Sequence, residues 1–192
     1  SSAASDVYKR QPVNTINIDA KGFDIQSVEL VGKNGNSSLE YEYDSLQIAI
    51  QLDKTYVKGE KYELFIDYTA KPNELKNSGG KAITDDRGLF FINADGSEKD
   101  KPQQIWTQGQ AEASSCWFPT LDAPNQRTSQ EIYMTVQDHF VTLSNGKMLS
   151  STKNADGTRT DYWKQDLEHP PYLFMMGVGE FAVVKDLSLI HI

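Results

Sequence analysis

The chain has a single cysteine, Cys116, so it can form neither an internal disulfide nor a thiolate metal cluster. It offers no basic face either. Its 19 Lys and Arg stand against 27 Asp and Glu, and the formal net charge of -8 has the wrong sign for a surface that grips phosphates. The longest apolar run, Tyr172–Val178, falls far short of the roughly 20 residues that a bilayer-spanning helix needs. Histidine is scarce, and His139, His169 and His191 are not spaced as metal ligands. The H-E-x-x-H zinc signature, the G-x-S-x-G nucleophile elbow and the phosphate-binding glycine loop do not occur. Read residue by residue, the sequence therefore supplies no catalytic set and no metal-ligand set of its own.

What the chain does have is length and alternation. Its 192 residues suffice for one sizeable domain with a real core. Ile16 and Ile18 alternate with Asn17 and Asp19; Leu46, Ile48, Ile50 and Leu52 with Gln47, Ala49 and Gln51; and Tyr62, Leu64, Ile66 and Tyr68 with Glu63, Phe65 and Asp67; Ile132, Met134 and Val136 repeat the pattern later. A period of two marks half-buried antiparallel strands. Between them lie Lys33-Asn34-Gly35-Asn36, Asn93-Ala94-Asp95-Gly96, Ser144-Asn145-Gly146 and Asn154-Ala155-Asp156-Gly157, whose Gly, Asn and Asp tolerate the positive φ of hairpin turns. The expected fold is all-β and antiparallel, a sandwich or strongly curved sheet, with one short turn over Pro124–Gln130.

Three stretches depart from alternation. Lys71–Asp86 is polar and glycine-rich, a long surface connection, and Asp85, Asp86 and Arg87 at its end read as a solvated turn. Gln104–Arg127 sets Trp106, Trp117 and Phe118 among small and polar residues with no period, which predicts an irregular but packed segment, with Cys116 buried and inert. Tyr172–Val184 is almost continuously apolar and predicts a strand buried on both faces, with Gly177 and Gly179 marking a bulge or a close backbone approach. His139 and His169 read as structural or solvated. Asn93–Asp100 is acidic, yet it lacks a full set of calcium ligands and reads as a hairpin turn. Asn36-Ser37-Ser38 is a formal glycosylation sequon of a kind common by chance.

The two ends match each other at the nucleotide level. Asp6–Gln11 reads DVYKRQ; written as GAT GTG TAT AAG AGA CAG, its reverse complement translates as LSLIHI, the residues Leu187–Ile192. That string resembles the transposase end used in sequencing libraries, and Ser1–Ser5 fit the adaptor upstream of it. Residues 1–11 and 187–192 are accordingly expected to be adaptor-derived, leaving 12–186 as a β domain truncated at both ends.

Four elements then follow one another in a recognisable order. Ile105–Ala113 reads I-W-T-Q-G-Q-A-E-A and Trp117–Pro124 reads W-F-P-T-L-D-A-P. A strand over Thr128–Gly146 ends in a Ser-Asn turn, and an apolar stretch runs from Tyr172-Leu173 to Val178-Gly179-Glu180-Phe181. Together they resemble the N-terminal domain of the aminopeptidase N family, in which T-Q-x-E/Q shortly precedes an F-P-C-F-D-E-P-like element. Phe65-Ile66-Asp67-Tyr68 is similar to the strand before the long loop of these enzymes. The likeness is greatest to bacterial members.

The resemblance implies a saddle-like β domain that closes the substrate cavity of a zinc aminopeptidase. The following catalytic domain, which would carry H-E-x-x-H and a Gly-x-Met-Glu-Asn strand, is not in this chain. Zinc is expected in the intact enzyme and none in this fragment, which alone should be inactive. The implied partners are the N-terminus of a peptide substrate and the chain's own catalytic domain, with no nucleic acid and no membrane span. The periplasm or cell envelope is favoured slightly over the cytoplasm. Carried over residue by residue, Gln108 lines the pocket for the first side chain and Gln110 accepts a hydrogen bond from the free α-amine. A protonated amine offers only donors, so its site needs oxygen acceptors; the Glu found in many members would bind it more strongly. Both glutamines could instead merely satisfy backbone groups of an irregular loop. Phe118, Pro119, Asp122 and Pro124 are expected to be architectural, with Asp122 capping a turn, and Arg127 stands where the family tends to place a basic residue. Thr120 and Ala123 depart from the family's common Cys and Glu. The rival readings are a stand-alone β-sandwich module that binds carbohydrate or protein, and a structural domain from a member that has lost catalysis.

Overall fold

The computed structural model describes residues 12–75 and 87–184. The ends read as adaptor-derived, His191 and the Asp85-Asp86 pair lie outside the described residues. Strands β1 (Val13–Asp19), β2 (Phe23–Leu30), β3 (Ser37–Ser38), β4 (Tyr41–Tyr43), β5 (Gln47–Tyr56) and β6 (Leu64–Ala70) build the first half. Strands β7 (Leu89–Ile92), β8 (Gln104–Thr107), β9 (Thr128–Gln137), β10 (Val141–Ser144), β11 (Lys147–Lys153), β12 (Thr158–His169) and β13 (Met176–Gly179) build the second. The pairings are antiparallel, in sheets of order β1-β5-β4, β3-β2-β6, β10-β13-β8-β7 and β11-β12-β9. The all-β, antiparallel expectation is met.

In the first half, alternation does what the sequence implies. Ile48, Ile50 and Leu52 on β5 face Val28 on β2, and Phe23, Ile16 and Tyr56 close the core. Ile48 and Ile50 are fully buried, so truncating either to Ala should cost about 2–5 kcal/mol. Leu46 was expected to share that face but is 57% exposed. The Asp44 carboxylate accepts the N–H groups of Leu46 at 2.8 Å and Gln47 at 2.7 Å, which makes Leu46 part of a turn and delays β5 by one residue.

The second half packs Leu89, Trp117, Phe118 and Phe174 together with Ile105, Ile132 and Met176. Tyr68 joins the two cores: its ring stacks on Phe23 at 4.8 Å and its hydroxyl donates to the Trp117 carbonyl at 3.1 Å. Burial pushes that hydroxyl's pKa up to about 12, so it remains a donor.

The predicted strand Tyr172–Val184 is corrected. Pro171–Leu173 form a 3₁₀ turn, only Met176–Gly179 pair in a sheet, and Phe181–Val184 are exposed coil. Pro170 and Pro171 lack N–H donors and end β12. The backbone that follows is bonded by side chains instead of a ladder, as described below. Gly177, Val178 and Gly179 are buried as expected, and a Cβ on Gly179 would lie 2.9 Å from the Phe181 ring and 3.0 Å from the Gln103 carbonyl. Gly177 shows no comparable approach, its nearest neighbour lying at 3.8 Å. Arg87 is likewise no solvated turn residue. It is half-buried, its guanidinium 5.2 Å from the Phe90 ring centroid and donating to Asn73 at 3.1 Å.

One ion pair is buried between the second-half sheets. Asp161 is 1% exposed and accepts from Arg159 at 3.0 Å and from Thr142 Oγ1 at 2.6 Å, while Trp163 Nε1 donates to Thr142 Oγ1 at 3.1 Å. Burial by itself raises the Asp161 pKa, but hydrogen bonds from Arg159, Ser151 and Thr142 outweigh it and leave the carboxyl below its ordinary range. Removing one partner strands the other charge. Asp161→Asn should therefore destabilise the chain by about 3–5 kcal/mol in urea titrations. Because the folded pKa is depressed, this contribution is present above the unfolded value and is lost as pH falls through the folded one. The gap between wild type and variant should shrink as titrations move from neutral pH into strong acid, and a gap independent of pH would refute the ionised-pair account.

Candidate functional site

The four sequence elements singled out above meet at one segment, residues 171–176. From the first, Thr107 Oγ1 accepts from Met176 N–H at 3.0 Å, and just beyond it Ser114 Oγ donates to the Pro171 carbonyl at 2.7 Å. From the third, Asn145 Nδ2 donates to the Leu173 carbonyl at 3.0 Å while its Oδ1 accepts from Met175 N–H at 2.7 Å. Ser144 Oγ donates to the Met175 carbonyl at 2.8 Å. From the second, Phe118 stacks on Phe174 at 5.3 Å and meets Trp117 edge-on at 4.5 Å. The backbone groups of a segment that leaves the sheet must find partners, and here side chains of the other elements supply them.

The second element also fixes the turn that joins it to the first. Asp122, 6% exposed, accepts both the N–H and the hydroxyl of Ser115 at 2.8 Å, which holds the 3₁₀ turn Ser114–Cys116. Its carboxyl pKa is raised by burial, against the lowering effect of those two bonds and of nearby Lys21. The turn-capping role expected of Asp122 is thus what the structure shows. Phe118 and Pro119 are buried, as the architectural reading requires, whereas Pro124 and Arg127 are exposed. Cys116 is buried at 2% exposure. His169 packs on Phe174 at 4.5 Å, with Nδ1 2.9 Å from the Leu167 carbonyl, and His139 is exposed.

Within this frame lies the loop of Gln108 and Gln110. Gln108 N–H donates to the Gly88 carbonyl at 2.9 Å and extends the β7–β8 ladder. Gly109 is buried against the next element: a Cβ there would lie 2.5 Å from the Tyr172 carbonyl and 2.7 Å from Ser114 Oγ. Lys21 Nζ donates to the Glu112 carbonyl at 2.6 Å and ties the far end of the loop to the first half. The two glutamines flanking Gly109 are exposed. Gln108 Oε1 accepts from Gln110 N–H at 3.2 Å, so the carbonyl end of Gln108 is engaged by its own loop. A loop held at both ends thus presents the amides of Gln108 and Gln110 to solvent. Among the described residues no three His, Cys, Asp or Glu side chains gather to hold a metal, so nothing here fits a zinc ion.

The chain matches the family model of the Peptidase M1 N-terminal domain over residues 2–173, and it belongs to that family. It is 25% identical over 190 residues to the puromycin-sensitive aminopeptidase of Caenorhabditis elegans, which covers 95% of this chain and 19% of that protein. In fold it is similar to an M1 zinc metallopeptidase of Deinococcus radiodurans bound to a Tyr-Ser-Ala substrate, with a TM-score of 0.72 and 18% identity over 88% of this chain and 35% of the other. It is also similar to the Legionella pneumophila aminopeptidase A in complex with aspartic acid, with a TM-score of 0.64 and 15% identity over 87% of this chain and 17% of that one. The chain thus spans about a fifth of the curated relative and between 17% and 35% of these solved structures. Neither the family model nor the curated relative supports the rival of a stand-alone carbohydrate-binding module.

Gly109→Ala should tighten an already filled contact and cost about 1–3 kcal/mol. The loss should appear in the unfolding midpoint, together with faster amide exchange across residues 108–116. Unchanged exchange in that loop would show that Gly109 does not brace it.

Proposed function

We propose that this chain is the substrate-facing N-terminal domain of a zinc-dependent aminopeptidase that removes N-terminal residues from peptides. The observation that carries this reading is the convergence of the family's four sequence elements on residues 171–176, which leaves Gln108 and Gln110 exposed on a braced loop. Gln110 offers its amide oxygen to the α-ammonium of a peptide, which has only donors to give. Gln108 orients that loop through its bond to Gln110 N–H and presents its amide nitrogen toward the first side chain. Zinc, which as a Lewis acid would polarise the scissile carbonyl and activate water, is held by residues outside this chain. The domain's own part is shape and amine recognition, and by itself it hydrolyses nothing.

Reading the gene beyond Asp186 tests the domain assignment, since a following Gly-x-Met-Glu-Asn strand and H-E-x-x-H are required and an immediate stop codon would sink it. In the whole enzyme, a hydrogen bond to a charged group is worth about 1.5–3 kcal/mol, so Gln110→Ala should lower kcat/KM for free-amine substrates roughly 10- to 150-fold. Gln110→Glu should lower KM instead, because a charge-assisted bond is stronger. If both variants keep wild-type kinetics, Gln110 does not hold the amine.

A further inference from the structure

Glu112 lies in the loop that carries Gln108 and Gln110, and nothing local favours the conformation it adopts. Its φ is 65°, in the left-handed region where the Cβ of any residue but glycine crowds the backbone. Among the described residues the other non-glycine cases are Ser45 at 74° and Asn93 at 48°. Both have local support. Asn93 bonds its own loop through both ends of its amide, to the carbonyls of Glu98 and Lys101 and from the Glu98 N–H. Ser45 sits in the turn that the Asp44 carboxylate closes. Glu112 has no such bond. Its side chain is exposed, and its carboxylate meets no hydrogen-bond or ion-pair partner among the described residues. The Lys21 ammonium goes to the Glu112 carbonyl instead, at 2.6 Å. Glu112 is also the last exposed residue before the buried run 113–120. Its unfavourable geometry is thus imposed by the bond to Lys21 on one side and the packed segment on the other. Positions held in this way gather at ligand sites.

We propose that the Glu112 carboxylate selects peptides whose second residue is lysine or arginine. The inference rests on the reading under Proposed function and adds to it a preference at the second position. A carboxylate is acceptor-only, so its complement is a cation, and arginine or lysine meets it with charge-assisted bonds. Chain order says which cation. Gln108 and Glu112 lie two residues to either side of Gln110. With the α-amine at Gln110 and the first side chain toward Gln108, what remains for Glu112 is the residue that follows in the peptide. Reach agrees with order. Two Cα steps of about 3.8 Å put Glu112 within about 7.6 Å of Gln110, and the second residue of the peptide stands one such step from the first. The long side chain of lysine or arginine covers the difference. A metal ion is a poorer fit, because no three His, Cys, Asp or Glu side chains gather among the described residues.

The test compares two peptides in the whole enzyme, both with leucine first, one with lysine and the other with norleucine second. Norleucine keeps the four-carbon stem and drops the ammonium. The wild type should favour the lysine peptide about tenfold in kcat/KM, the gain expected of a bond between charged groups. Glu112→Gln should bring that ratio to about one, and Glu112→Lys should invert it. Glu112→Gly removes the charge and suits the positive φ, so it should act like Glu112→Gln and keeps the test decisive if one variant folds poorly. A ratio near one in the wild type, or one that survives in Glu112→Gln, overturns the proposal. So does a fall by the same factor for both peptides, which would make Glu112 a brace of the loop. A preference found for lysine in the first position rather than the second overturns it as well. In each of these cases Gln110→Ala still weakens both peptides if the domain reading holds. Loss of that effect removes the reading and this proposal together.

Discussion

A short hydrogen-bonded seam between Asp19–Lys21 and Ser115–Asp122 orders the rest of the molecule. Asp19 and Thr120 exchange both backbone bonds, at 2.8 and 3.0 Å, and Lys21 N–H donates to the Ser115 carbonyl at 2.8 Å. The Asp19 carboxylate accepts the Asp122 N–H at 2.9 Å, and the Asp122 carboxylate turns inward to hold Ser115. Residues 113–120 are consecutively buried without belonging to any regular strand or α-helix. Irregular backbone in that position survives only if its polar groups are bonded, since an unpaired buried donor costs about 1–3 kcal/mol. The seam meets part of that demand and at the same time ties the two cores together beside Tyr68.

From the seam outward, rigidity passes to the exposed loop through groups that are themselves fixed. Asp122 holds Ser115, Ser114 holds Pro171, and Tyr172 closes over Gly109. Gln108 and Gln110 thus project from a backbone whose position is determined several residues away. On the proposed reading this arrangement helps recognition, because little conformational entropy is left to lose when a ligand arrives. It also explains how the departure at Thr120 is tolerated. Thr120 acts here through its backbone, bridging Asp19, and a change of side chain leaves those bonds in place.

The strands and turns of this fold were legible because their rules are local. Ile48 and Ile50 show their burial by alternation, and Asn154–Gly157 announces the β11–β12 hairpin that it makes, with Gly157 at φ 84°. Misreadings arose where a distant or lateral partner decided the outcome. Leu46 fits the β5 pattern perfectly and is removed from it by the Asp44 carboxylate. Tyr172–Val184 has the hydropathy of a buried strand, yet the backbone around its start, at Pro171 and Leu173, is claimed by the side chains of Ser114 and Asn145, which lie 57 and 28 positions away from their acceptors. Arg87 looked solvated because nothing in its own neighbourhood predicts the ring of Phe90 across the turn. The candidate site was legible only as a resemblance. Two glutamines carry no chemical signature alone, and the bracing that gives them meaning runs through Gly109 and Ser114, which no periodicity marks.

On the proposed reading, the neutrality of Gln110 is intelligible in a domain this acidic. A net charge of -8 already draws cationic peptide termini toward the surface through long-range attraction that needs no particular carboxylate. What diffuse charge cannot provide is direction, and a fixed amide oxygen provides it. A carboxylate at the same position would bind the amine more tightly but would have to be stripped of water as the cavity closed. An amide sets register at smaller desolvation cost and leaves tight, charge-based anchoring to groups elsewhere in the enzyme.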